Sequence, residues 1–280
     1  MQLIWPWQDR SLRFSWLKAG TFALMCAPAI WIISELDAGE FGPVPLGGMT
    51  YWSGVWATAL LLLALAVTPA AAILRSGRLI LVRRMIGVTA LVYTLAHVAI
   101  YFALRFWDFT SIALEMATRL SLIVATLSMI GLIALGVTSF DAAVQRMGAQ
   151  DWNRLHNLVY ASAALALFHY LLSPGTFPDQ FLMSGMFFWL MTWRVLQRRR
   201  RGTDAVTLTM LALASGAFTA LFEVAWNSIY HGDKPLWVLG NNLSLVLGIP
   251  PAWKVLALGL LIALAAAIRG KRPRMEHARR

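Results

Sequence analysis

The chain has 280 residues, of which 59% are hydrophobic and only 13% charged, with a mean hydropathy of +0.65. Soluble domains carry about 25% charged residues, so one large water-soluble helical bundle, which needs polar outer faces, is excluded. The net charge of +11 is accounted for by loop asymmetry and anionic lipid rather than nucleic acid, and a single cysteine, Cys26, excludes disulfides, iron–sulfur clusters and cysteine-based zinc sites.

A membrane-spanning helix takes roughly 20 apolar residues. Eight runs answer to that length in chain order: residues 14–34, 52–74, 84–104, 119–140, 155–172, 181–196, 205–225 and 253–268, the fifth and sixth being short. The predicted fold class is therefore all-α, a polytopic integral membrane bundle with a six-helix core and two further spans. The N-terminus, MQLIWPWQDRSLRF, shows no cleavable signal with a small-residue processing site, so the first span is predicted to remain as an anchor. The link that follows it, DAGEFGPVPLGGMT, is rich in glycine and proline and predicts an irregular surface loop. Small residues within the spans, such as Gly131, Ala134 and Gly136, predict close helix approach.

Cations fall on alternate loops: Arg10, Arg13 and Lys18; Arg75, Arg78, Arg83 and Arg84; Arg146 and Arg154; residues 198–201; and the tail 269–280. The opposite loops carry Glu35, Asp37, Glu40, Asp108, Glu115, Asp179 and Asp233, with scattered cations such as Arg105 and Lys234. The positive-inside rule then puts both termini in the cytoplasm. Trp52, Trp107, Trp152, Trp237 and Trp253 lie near span ends, as interfacial anchors do. The block QRRRRGTD at 197–204 closes the sixth span, and no span beyond it contains a histidine. It divides a histidine-bearing core, residues 1–201, from a two-helix extension with a basic cytoplasmic tail, residues 202–280.

Three histidines lie within spans, where an ionisable side chain is costly and marks a functional site by default. His97 is 13 residues beyond Arg84, about 20 Å along its helix; His169 is about 25 Å from Trp152, and His156 only about 6 Å. His97 and His169 thus share the outer half of the bilayer on different helices and predict the two axial ligands of one haem iron. His156 lies near the inner face, where Arg84 occupies the matching depth and cannot ligate iron. Packing or hydrogen bonding, contact with a cofactor edge and ligation of a second haem all stay open for it. His231 and His277 are predicted to be solvated, in an outer loop and the tail.

The pattern RR-x-x-G at Arg83–Gly87, with Tyr93, His97 and Tyr101, then W-x-x-L-H-N-x-V-Y at Trp152–Tyr160 and H-Y at His169–Tyr170, resembles the ferric-reductase-like transmembrane family. Within it, the pattern is most similar to the haem-binding membrane subunits of periplasmic methionine-sulfoxide reductases. The resemblance covers roughly residues 14–201. It implies a six-helix core holding haem b on the histidines matching His97 and His169, with His156 also implicated. It further implies a location in the bacterial inner membrane, electron transfer across it to a molybdopterin-containing periplasmic reductase that repairs oxidised methionines, and association with a flavin. No G-x-G-x-x-G follows a strand, so electrons are expected from a cytoplasmic flavin reductase, a loosely bound FMN or a quinol. Arg83 and Arg84, with Arg75 and Arg78, either hold a flavin phosphate, which guanidinium pairs with bidentately, or only set topology.

Two rival expectations accompany this one. A stand-alone transmembrane ferric or metal reductase is allowed by the same resemblance. A proton-relay transporter would need acidic partners at the depth of the histidines, whereas Glu115 and Glu223 lie only near span ends. Outer loops at 35–51, 105–115 and 173–180, acidic and aromatic, are the expected docking surface for a periplasmic partner.

Overall fold

Inside a bilayer, a single segment satisfies its own backbone only as a helix, and the described residues obey this: the only extended pairing among them is an isolated bridge between Gln8 and Phe14. The computed structural model describes residues 5–8, 11–173, 179–246 and 248–270. Arg10, residues 174–178 of the third docking loop and the tail from 271, with His277, lie outside the described residues. Twelve α-helices are described: α1 (Trp16–Asp37), α2 (Pro45–Ile73), α3 (Ile80–Leu104), α4 (Phe109–Thr118), α5 (Leu120–Val137), α6 (Asp141–Met147), α7 (Ala149–His156), α8 (Leu158–Leu172), α9 (Asp179–Arg198), α10 (Ala205–Trp226), α11 (Pro235–Leu243) and α12 (Pro251–Gly270). Among the described residues, seven helical segments are long and apolar enough to cross a membrane: 16–37, 45–73, 77–104, 120–137, 141–172, 205–231 and 251–269.

The sixth predicted span, 181–196, is helical as α9 but falls short of those seven in hydropathy. It buries Gln180, Ser184, Trp189 and Trp193. It packs against α10 and α12, and the face so covered is free to be polar. The fifth predicted span is two helices, α7 and α8, broken at Asn157. The predicted loop after α1 is half helical, because Pro45 stands at the start of α2, where its fixed φ and missing N–H suit a first turn.

The chain forms two compact units, Met1–Val67 with Arg78–Pro174, and Thr68–Gly77 with Gly175–Arg280. The expected boundary at Arg201 therefore differs from the packing, which groups α9 with the helices that follow it. Pro69, which cannot donate to the carbonyl one turn back, stands two residues past the switch within α2.

In the first unit, Pro28 interrupts the hydrogen-bond ladder of α1. Tyr93 of α3 repairs it: its hydroxyl donates to Met25 O at 2.9 Å and accepts from Ala29 N at 2.9 Å, standing in for the bond between those two residues. Helices α5 and α8 meet where Ser128 donates to Ser162 O at 2.8 Å, and a Cβ on Gly131 would collide with the Ser162 hydroxyl. In the second unit, α9, α10 and α12 approach through glycines. A Cβ at Gly259 would lie 2.6 Å from Ala212 Cβ, and one at Gly185 would meet Thr219 and Val255. Small residues at such crossings are how apolar helices gain packing contact. Trp193 of α9 donates to Gly202 O at 2.7 Å, and the basic stretch that ends α9 folds back over it.

Candidate haem site

Four helices of the first unit, α2, α3, α5 and α8, converge on His97 and His169. His97 projects from α3 toward α2, where its Nδ1 lies 2.8 Å from Thr50 O and 3.2 Å from Ser53 Oγ. His169 projects from α8 toward α5, with Nδ1 2.9 Å from Ser121 O. A carbonyl only accepts, so Nδ1 carries the proton in both rings and Nε2 keeps its lone pair for a metal. Gly54 makes room for this: a Cβ there would stand 2.9 Å from His97 Cε1.

The two ring centres are 6.4 Å apart and the ring planes are inclined by 71°. An imidazole nitrogen binds a metal at about 2 Å and lies about 1 Å from its ring centre, so two rings on opposite sides of one metal have centres about 6 Å apart. The observed separation fits that arrangement. Among the described residues there is no group of three or more His, Cys, Asp or Glu able to hold a bare metal ion. Two imidazoles are too few for a structural zinc site but complete the coordination of an iron that brings its own four nitrogens.

His156 is not part of this pair. It ends α7 stacked on Trp152, ring centres 3.7 Å apart and planes 24° from parallel, with Nε2 3.3 Å from Thr138 Oγ1. Trp152 itself donates to Thr138 O at 2.8 Å. Arg83 and Arg84 are exposed and within electrostatic reach of His156, and Arg84 pairs with Asp141 at 2.7 Å.

Beyond the C-terminal end of α3, the stretch expected to be a docking loop is built differently. Phe106 and Trp107 both take left-handed backbone (φ 53° and 57°), and their exposed side chains form an aromatic knuckle after α3. Asp108 then caps α4, accepting from Ser111 N at 3.1 Å and Ser111 Oγ at 2.6 Å, which holds its carboxyl below the usual range. Glu115 faces inward. Tyr101 donates to it at 2.6 Å, Arg105 forms an ion pair with it, and Arg119 lies 3.5 Å away.

Residue-by-residue reasoning found the histidines but not the carbonyls of Thr50 and Ser121, nor Gly54, nor the role of Glu115. Only Gly54 left a trace in the sequence, as a glycine inside a span.

The Ferric reductase like transmembrane component family matches residues 53–167, which include His97 and His156 and stop two residues short of His169. A protein-methionine-sulfoxide reductase heme-binding subunit MsrQ of Caulobacter vibrioides is 36% identical over 192 residues, 68% of this chain and 91% of that protein. Its namesake in Azospira oryzae is 31% identical over 226 residues, 77% of this chain and 97% of that one. The Yersinia enterocolitica protein of the same name is 35% identical over 167 residues, covering 59% and 83% respectively. No solved structure matches. With this coverage and identity, the chain belongs to the MsrQ family of heme-binding subunits of protein-methionine-sulfoxide reductase.

Proposed function

We propose that the chain is a haem b-carrying electron-transfer subunit of the bacterial inner membrane, conducting electrons from a cytoplasmic flavin or quinol donor to a periplasmic, molybdopterin-containing methionine-sulfoxide reductase. The observation that carries this is the pair His97 and His169, each with Nδ1 pinned to a backbone carbonyl and with ring centres 6.4 Å apart. A haem supplies reversible one-electron chemistry at its iron. With a haem bound, the protein's share would be to offer the Nε2 lone pairs of His97 and His169 to its iron, to fix each tautomer through Thr50 O and Ser121 O, and to keep water away with apolar walls. Both termini lie in the cytoplasm on this reading, supported by the distribution of Lys and Arg. For that, α9 must cross as an eighth helix, and its 20 residues span about 30 Å.

His156 acts as a packing residue on Trp152 and Thr138. Arg83, with its neighbour Arg84, is the place for an FMN phosphate, and binding of FMN lost in the Arg83→Gln variant would support it. The family match over 53–167 also favours a second reading, a stand-alone ferric reductase.

One set of experiments tests the proposal. The purified protein should show low-spin b-type bands after dithionite reduction. The reduced band should then reoxidise promptly when the periplasmic reductase and a methionine-sulfoxide substrate are both added. Reoxidation by ferric chelates alone would favour the second reading, and a silent spectrum after haem supplementation would remove both.

A further inference from the structure

A haem b carries two propionate carboxylates, and an anion at bilayer depth is stable only when paired with a cation. Along α3, Arg84 lies about 20 Å below His97, whereas Arg105 lies about 12 Å above it. Tyr101 and Arg105 follow His97 at four and eight residues, so all three share one face of the helix line. The nearer cation is therefore on the outer side and on the histidine's own face.

The cluster around Arg105 has an unused capacity. Glu115 faces two guanidinium groups, Arg105 and Arg119, together with the Tyr101 hydroxyl, and Asp108 lies within electrostatic reach of Arg105. The Nε–H of Arg105 is buried and makes no hydrogen bond, which is costly unless an acceptor arrives. A guanidinium with a spare buried N–H is suited to a carboxylate. Arg119 also stands two residues ahead of Ser121, whose carbonyl orients His169. The cluster thus touches the outer ends of the helices that carry or orient both histidines.

We propose that Arg105, held by Glu115 and assisted by Arg119, binds a propionate carboxylate of the haem. This rests on the haem reading above. Tyr101 and Glu115 are positioning residues, fixing the guanidinium so that its free edge faces the ligand.

The test compares haem b with its dimethyl ester, which lacks the carboxylate charge, by absorption titration of the full-length apoprotein in detergent. The wild type should prefer the free acid by on the order of tenfold. In the Arg105→Gln variant that preference should fall to near unity. Glu115→Gln removes the ion pair but keeps the cation and an oxygen that can accept from Arg105 and Tyr101, so it should retain most of the preference, as should Arg105→Lys in part. Equal affinity of the wild type for the two pigments would overturn the proposal. So would an undiminished preference in Arg105→Gln, or an equal weakening of both pigments by Arg105→Gln and Glu115→Gln, which marks a purely structural network. A wild type that bound neither pigment would remove the haem reading, and this inference with it, and is told apart by the absence of any titration.

Discussion

The two units handle polar groups inside the membrane in opposite ways. In the histidine-bearing unit, the polar side chains that matter have named backbone partners: His97 on Thr50 O, His169 on Ser121 O, Tyr93 between Met25 and Ala29. In the second unit, buried acceptors at Gln180, Glu223, Asn227 and Asn242 each leave an oxygen without a hydrogen bond, while tryptophans and close glycine contacts supply the packing. The first unit spends its hydrogen bonds on orienting a few side chains, and the second relies on fit. Damage to orientation should therefore register in the haem spectrum, and damage to fit in stability.

The largest expected effect comes from the two proposed ligands. His97→Ala or His169→Ala should cut haem incorporation roughly tenfold or more, since one axial position is lost, whereas His156→Ala should keep a haem spectrum because its partners are Trp152 and Thr138. Pigment content per protein after purification is the measurement. Loss of haem in His156→Ala together with its retention in His169→Ala would reverse the pairing.

Next comes the second unit. Gly259→Val drives a side chain into Ala212, and overpacking of this kind costs about 1–3 kcal/mol. Thermal unfolding in detergent should shift down while haem bands stay in place. Equal loss of haem would mean that the comparison between the units is wrong.

A subtler change sharpens the first unit. Gly54→Ala puts a methyl group 2.9 Å from His97 Cε1, so the ring must turn away from Thr50 O. Losses of an orienting bond to a metal-bound histidine run at about 10–100-fold in affinity, and an effect of about tenfold with a broadened low-spin spectrum is expected. An unchanged spectrum would show that the ring has another resting place.

The smallest effect is pH-dependent. The Glu115 carboxyl is held below the ordinary glutamate value, chiefly by the hydrogen bond from Tyr101 and further by Arg105 and Arg119. A depressed folded-state value means that its stabilising contribution is complete above the unfolded value, about 4.3, and disappears as acid protonates the carboxylate below that. Wild-type melting temperature should fall with pH below about 4 more steeply than that of Glu115→Gln. Parallel curves would leave Glu115 without a role in the acid limb.

Much of this was legible in the sequence because depth along a helix is simple arithmetic. Counting from Arg84 and Trp152 brought His97 and His169 to one level, and the structure brings their rings together. The extent of the second unit was not legible. The cationic block at 198–201 marks a membrane face, and it carries no information about whether α9 packs backward or forward. The span 181–196 reads weakly for a related reason: the polar residues that α9 buries, such as Gln180 and Ser184, lower its hydropathy. Glu115 reads as a loop acid because two of its partners, Tyr101 and Arg105, come from the C-terminal end of α3, and only Arg119, four residues on, is announced by a local pattern. The hydroxyl of Tyr93 was visible as part of a motif, but its insertion at Pro28 depends on α1 lying beside α3.

The two carbonyls that orient the imidazoles have a consequence for how this site changes over evolutionary time. A carbonyl belongs to the main chain, so Thr50 and Ser121 can be exchanged for almost any residue without removing the group that each histidine needs. Point substitution at those positions is nearly silent, whereas an insertion or deletion of one residue in α2 or α5 would slide the carbonyl by about 1.5 Å and turn it by about 100°. The site is thus protected against drift in side chains and exposed to drift in length. Sequences of this architecture should tolerate wide variation at positions 50 and 121 while keeping the spacing within α2 and α5 intact.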